Sequence, residues 1–347
     1  MSESRTPKHH YGGLDGLRAL SAVGIALMHV RANTQYDLNG FVFDKVIPSF
    51  TNLVFLFMMI SSFAMCCGYY EKITQGTITF EKFYSKRFSK VWPYFMVLCL
   101  LDLVLSPSIN SVYEVFANST LFFGFLPDAQ IEVIGVGWFL GLAFVFYLIF
   151  PFFCYLLSRK DRAWFSFVIA LIFNYLCTVR FAAGRQNIVY SAVFFMAGGL
   201  IYLYRERLIA VTEKYKYAVA LGILIVAGIY YCTKASVIVM LVLFGLIMIL
   251  ALSSSKQVSF LNNPLMHFLS DISMEFYLSH MVIFRVIEKA GMTRLFKSDM
   301  LSYAVTALGT LIGTVVFAVT LKWLIQKVIQ LMSGLKEACM QRKCKNG

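Results

Sequence analysis

The sequence predicts an all-α fold, a polytopic transmembrane helical bundle of about ten spans, and three observations carry that expectation. Hydrophobic residues make up 59% of the 347-residue chain and aromatic residues 16%, with a mean hydropathy of +0.71, far outside soluble composition. The chain is rich in Phe and Met with only seven Pro, which suits apolar helices that satisfy their own backbone in lipid; barrel strands would alternate polar and apolar. Lys and Arg gather in the short connections between apolar runs, so the net charge of +13 reads as positive-inside loops facing anionic lipid and not as a nucleic-acid-binding stripe.

Ten apolar segments are long enough for about 30 Å of hydrocarbon: 14–31, 46–69, 91–107, 137–158, 163–180, 188–204, 216–233, 235–253, 271–290 and 301–331. The first, third and sixth are short or interrupted by polar residues, which neighbouring helices must cover. Both termini are placed in the cytoplasm, because this puts Lys72, Lys82, Lys86, Arg87 and Lys90 inside together with Arg159-Lys160-Asp161-Arg162, the Arg205 to Lys216 loop and the tail cations. The longest outer connection, 107–136, then carries Glu114, Asp128 and Glu132 and no cation. Its apolar piece VYEVFANSTLFFGF is expected to lie at the outer surface, while Phe80 to Tyr94 reads as an amphipathic lead-in to the third span, with Pro93 near its start.

The organisation expected is a cytoplasmic tail (1–12), one membrane domain (13–332) and a basic cytoplasmic tail (333–347). The first apolar run contains Arg18 and lacks a small-residue cleavage site, so it is expected to remain as a helix of a multi-pass protein of the cell (plasma or inner) membrane. The eight cysteines form no metal-ligand spacing or external disulfide pattern and read as reduced packing residues. Exposed aromatics such as Phe122, Phe123 and Phe125 suit either lipid or a second copy of the chain.

Charges inside spans are costly and point to function. Arg18 and His29 lie eleven steps apart in LDGLRALSAVGIALMHV; at about 100° per step they share a face, roughly 16 Å apart along the axis. Singly, snorkelling explains Arg18 and an interfacial hydrogen bond explains His29. Two companions strengthen the functional reading. Lys86, Arg87 and Lys90 stand at the inner mouth of the third span, where phosphates of a cytosolic ligand would need cations. In the ninth span, Ser273, Tyr277 and His280 fall at i, i+4 and i+7, bringing a hydroxyl, a phenol and an imidazole to one face. The fourth span, with Trp138, Tyr147 and Pro151, reads by itself as an aromatic packing helix.

LDGLRAL followed by His29, FYSKRFSKVWPYF, WFLGLAFVFYLIFP and LSDISMEFYLSH occur in an order and spacing that resemble the acyltransferase-3 family of integral membrane O-acyltransferases, over about residues 12 to 325. The resemblance implies transfer of an acyl group, usually acetyl, from cytosolic acetyl-CoA to a hydroxyl of a polysaccharide or lipid-linked sugar beyond the membrane. It implies Arg18 and His29 as the essential pair, and Arg87 with Lys86 and Lys90 as donor-binding residues. One position departs from the family: Ala143 stands where a Glu is common. By helical rise it lies about 9 Å from the outer end of its helix, a depth at which it could meet His29. A carboxylate there would fix the imidazole tautomer; alanine cannot. An introduced Glu→Ala change giving a slowed enzyme and a natural divergence both account for it.

The expected chemistry has His29 act as general base on the acceptor hydroxyl or accept the acyl group itself, with Trp138, Ser273, Tyr277 and His280 as substrate or transition-state candidates. No metal is expected, since no ligand cluster shows in the spacing. The expected partners are acetyl-CoA, a glycan acceptor and membrane lipid, without nucleic acid. Two rival classes are a transporter or flippase, which a polar line through a helical bundle also fits, and a non-catalytic acyltransferase-like membrane protein.

Overall fold

The computed structural model describes residues 10–105, 107–119, 137–233, 236–253 and 259–345, with the side chains of 105, 110 and 335–345 excepted. Most of the described residues are helical and none forms a strand, apart from one isolated bridge between Ser259 and Asn262. Helices occupy all ten apolar segments: α1 (Gly12–Ala32), α2 (Val42–Thr74), α3 (Phe80–Leu105), α5 (Trp138–Leu157), α6 (Lys160–Val179), α7 (Ile188–Lys214), α8 (Lys216–Cys232), α9 (Val237–Ser253), α11 (Ser273–Lys289) and α12 (Asp299–Lys345). Two shorter helices lie between them, α4 (Ile109–Ser119) and α10 (Pro264–Asp271).

Six helices are by themselves long and apolar enough to cross a membrane: α1, α2, α5, α6, α7 and Asp299–Gly334 of α12. In the other four segments, α8 and α9 are apolar but only 17 residues long, and α3 and α11 carry several charges. Polar helices survive in such surroundings when neighbours cover them, and α11 is covered: Glu275, Ser279 and His280 are buried together with Phe276, Tyr277 and Phe284.

The connections sort to two ends of the bundle. At one end Asp37 N donates to Asp299 Oδ2 (2.6 Å), and Asn52 Nδ2 donates to the Tyr230 hydroxyl (2.7 Å), joining the starts of α2 and α12 to the end of α8 and the segment after α1. At the other, Asp15 near the start of α1 meets His267 and Ser270 of α10. The lead-in and the third span form one continuous 26-residue helix with Pro93 inside it. Of the piece expected at the outer surface, 112–125, residues 120–125 lie outside the described residues and 112–119 belong to α4. From Ile109 to Ser119 it folds back along α3, since Trp92 Nε1 donates to the Ser119 carbonyl at 2.8 Å, thirteen residues before the end of α3. Its apolar stripe packs Val115 against the bundle and leaves Phe116 and Ile109 outward. Phe122, Phe123 and Phe125 lie outside the described residues. Of the six cysteines with described side chains, Cys66, Cys99, Cys154 and Cys177 are buried in the packing, whereas Cys67 and Cys232 are exposed.

Backbone contact sets the helix spacing at α2 and α7. A Cβ on Gly198 would run into the Met59 carbonyl oxygen, a backbone atom that no rotamer change can remove. Close approach of this kind is how helices gain dispersion energy where no hydrophobic effect drives them together. Gly198→Ala is expected to lower stability by about 1–3 kcal/mol, read as a lower melting temperature in detergent; an unchanged melting temperature would contradict the close approach.

Candidate active site

Four helices bring most of the expected residues to one cavity of about 270 Å³. Arg18 enters from α1, Arg87 and Lys90 from α3, Ala143 from α5, and Ser273 and Tyr277 from α11; Tyr147 and Phe139 of α5, Phe57 and Met65 of α2 and Ser270 of α10 are also in the wall. Lys86 does not join them. It is exposed and absent from the cavity lining, because one residue along a helix turns a side chain by about 100° from its neighbour Arg87.

Arg87 is held by stacking. Its guanidinium carbon lies 4.3 Å from the centre of the Tyr69 ring and 5.7 Å from that of Tyr147, and its Nε is buried without a hydrogen-bond partner. Tyr69 reaches that position from a π-helical turn, Cys66–Tyr70, within α2; an extra residue in a helical turn rotates the side chains that follow. Arg18 lies 4.0 Å from Asp15, a loose pairing that leaves its charge facing the cavity. The lining is not cationic alone. Glu275 is buried and its Oε1 lies 2.9 Å from Lys322 Nζ of α12, which also donates to the Asp271 carbonyl at 2.8 Å.

Tyr277 caps the cavity, its ring edge-on to Phe139 at 5.5 Å and Phe57 at 6.2 Å. Beyond it lies His280, with ring centres 5.8 Å apart, and against His280 lies His29 at 5.2 Å. The two imidazoles of α1 and α11 therefore form a pair at the far end from Arg18. His280 is fully buried, and its Nδ1 is 2.6 Å from the Tyr277 carbonyl. A carbonyl only accepts, so Nδ1 carries the proton and Nε2 is left as a bare lone pair. That Nε2 has no protein partner.

Ala143, by contrast, lines the cavity between the cations and Tyr277, whereas His29 is not among the lining residues. The imidazole beside His29 is thus His280, and position 143 opens on the space in front of the pair. Trp138 sits near the same end, with the Arg185 guanidinium carbon 5.4 Å from its ring. Arg185 also donates to the Thr51 hydroxyl and acts electrostatically on both His29 and Tyr277. It carries no signal in the sequence, because it is one of two cations, with Arg180, in the connection between α6 and α7. Glu275 stands inside the DISMEFYLSH stretch, but its partner Lys322 is 47 positions away and the pair shows only in three dimensions.

The structure thus has cations and Tyr277 lining one cavity, with an imidazole pair packed beyond Tyr277. The family model described as "Acyltransferase domain", acyltransferase-3, matches residues 11–323, and the chain belongs to that family. No curated protein and no solved structure matches the chain.

Proposed function

We propose that this acyltransferase carries an acetyl group from cytosolic acetyl-CoA to a hydroxyl of a polysaccharide or lipid-linked sugar on the other side of the membrane, through a bundle of ten spans with both termini in the cytoplasm. The observation that carries the reading is the arrangement along α1 and α11. Arg18, Arg87 and Lys90 gather at one end of a cavity, and Tyr277, His280 and His29 follow at the other.

In this reading the donor phosphates sit on Arg18, Arg87 and Lys90, and the pantetheine arm rises through the cavity past Ala143 to place the thioester at Tyr277. His29 takes the proton of the acceptor hydroxyl as its oxygen bonds to the acetyl carbon. The carbon–sulfur bond then breaks and coenzyme A leaves as the thiolate, to be protonated on the cytosolic side. His280, fixed as the Nδ1–H tautomer by the Tyr277 carbonyl, packs its ring against His29 and holds that imidazole in place. The Tyr277 hydroxyl faces the developing oxyanion. The proposed location is the cell membrane, and the proposed acceptors are of the capsule or exopolysaccharide kind.

The test is vesicles holding the protein in one orientation, with labelled acetyl-CoA on the cytoplasmic face and glycan on the other. Label on the glycan supports the reading; glycan movement without any dependence on acetyl-CoA would replace it with transport. Position 143 gives a second test. The cavity has room for a longer side chain, and its cations would accompany a carboxylate, so Ala143→Glu is expected to fold and to raise turnover by about 10-fold or more. No gain would remove a role for a carboxylate at this place.

A further inference from the structure

Outside the acyl-transfer cavity, α1 and α10 bring together a second chemical site. His10 Nε2 lies 2.9 Å and His267 Nδ1 lies 3.2 Å from the same oxygen of Asp15, Oδ2, and one ligand atom from each of the three residues lies within 4.8 Å of the others. Two imidazoles and a carboxylate around one point are the donor set of zinc. Metal–ligand bonds of about 2.0–2.1 Å at tetrahedral angles put neighbouring donor atoms about 3.3 Å apart, close to the 2.9 and 3.2 Å from the two imidazoles to Asp15.

The surroundings fit as well. His267 Nε2 is 2.8 Å from Asn262 Oδ1, so the ring nitrogen that faces away from Asp15 has an oxygen to donate to. That outer bond fixes Nδ1 as the ligating nitrogen, as acceptors behind metal-bound histidines do. The other oxygen of Asp15 accepts from Ser270 at 3.1 Å and lies 4.0 Å from Arg18, which fixes the carboxylate and leaves Oδ2 for the imidazoles. Gly12 makes the approach feasible, since a Cβ there would collide with Asn262 and His267.

We propose that His10, Asp15 and His267 bind a divalent cation of the zinc class, clamping the start of α1 onto α10. Three protein ligands leave the fourth position to water or another small donor. Asp15 is one turn before Arg18, and Ser270 lines the cavity, so the clamp sets the position of the cavity's inner mouth. The ligands are 252 positions apart at their widest bond, which is why spacing in the sequence shows no metal motif.

The experiment uses the full chain, purified without a polyhistidine tag, stripped with a chelator and titrated with cobalt(II) as the probe. About one equivalent is expected to bind with visible d–d absorption and to be displaced by zinc. Loss of a ligand exceeds loss of an outer-shell partner, which costs about 10–100-fold in affinity; His10→Ala and His267→Gln should each weaken binding by at least that much, while His9→Ala binds as the parent does. His10 is a safe position to alter because its side chain is 71% exposed, so this variant decides the matter even if His267→Gln does not fold. No cobalt binding by the parent, binding unchanged in His10→Ala, or binding lost in His9→Ala but kept in His10→Ala would each overturn the site and leave a hydrogen-bonded cluster only.

Discussion

His29→Ala is expected to lower acetyl transfer by about 10²–10⁴-fold, the range that a positioned general base contributes, while the KM for acetyl-CoA stays within a small factor of the parent. The split follows from the geometry. His29 pairs with His280 beyond Tyr277 and does not line the space that holds Arg18, Arg87 and Lys90. Removing it strips the proposed proton acceptor and leaves the proposed phosphate site untouched. Stability should change little, because His29 is only part-buried and no buried partner of its ring is orphaned beyond His280 Nε2, which already lacks one. The measurement is label transfer at saturating donor beside a melting curve. Product at the parent rate with an unchanged melt would remove His29 from the chemistry. A matched loss of transfer and of folded protein would assign it a packing role.

What could be read from the sequence follows from what each signal depends on. Lipid penalises every exposed polar group, so hydropathy marks all ten helical segments of the bundle without any knowledge of their neighbours. The 3.6-residue period is equally local, and it places Arg18 and His29 on one face of α1, and Ser273, Tyr277 and His280 on one face of α11, before any contact is known. Relations between helices are not local. Nothing in the order of residues says that His29 meets His280 and that position 143 opens on the cavity. The exposed Lys86 and the stacked Arg87 look alike in sequence, and only the rotation of α3 against Tyr69 separates them. Two short helices were legible in principle. Asn263 caps α10 by accepting from the Met266 amide, with Pro264 at its first position, a start signal that an eight-residue helix between two longer runs still carries. The amphipathic face of α4 announces a helix, but its return along α3 depends on the hydrogen bond from Trp92 to Ser119.

Arg87→Glu is expected to weaken acetyl-CoA binding by about 10–100-fold, and the paired variant Lys86→Glu to leave it unchanged. A hydrogen bond to a charged group contributes about 1.5–3 kcal/mol, and reversing the charge adds repulsion toward phosphates. The position is prepared for an anion: the guanidinium rests on Tyr69 and Tyr147, and its buried Nε lacks a protein acceptor. Arg87→Lys should fall between, since an ammonium keeps the charge but loses the planar fork and the stacking. The comparison with Lys86 carries the argument. Both substitutions change the net charge equally, at adjacent positions near the start of the same helix, so a general effect on membrane orientation through the positive-inside bias would appear in both. Only a ligand held inside the cavity distinguishes them, because Arg87 lines it and Lys86 does not. Equal losses in the two variants would return these cations to a topological role and leave the donor site to be sought elsewhere; a loss confined to Arg87 ties the family's acyl donor to the end of the cavity opposite His29.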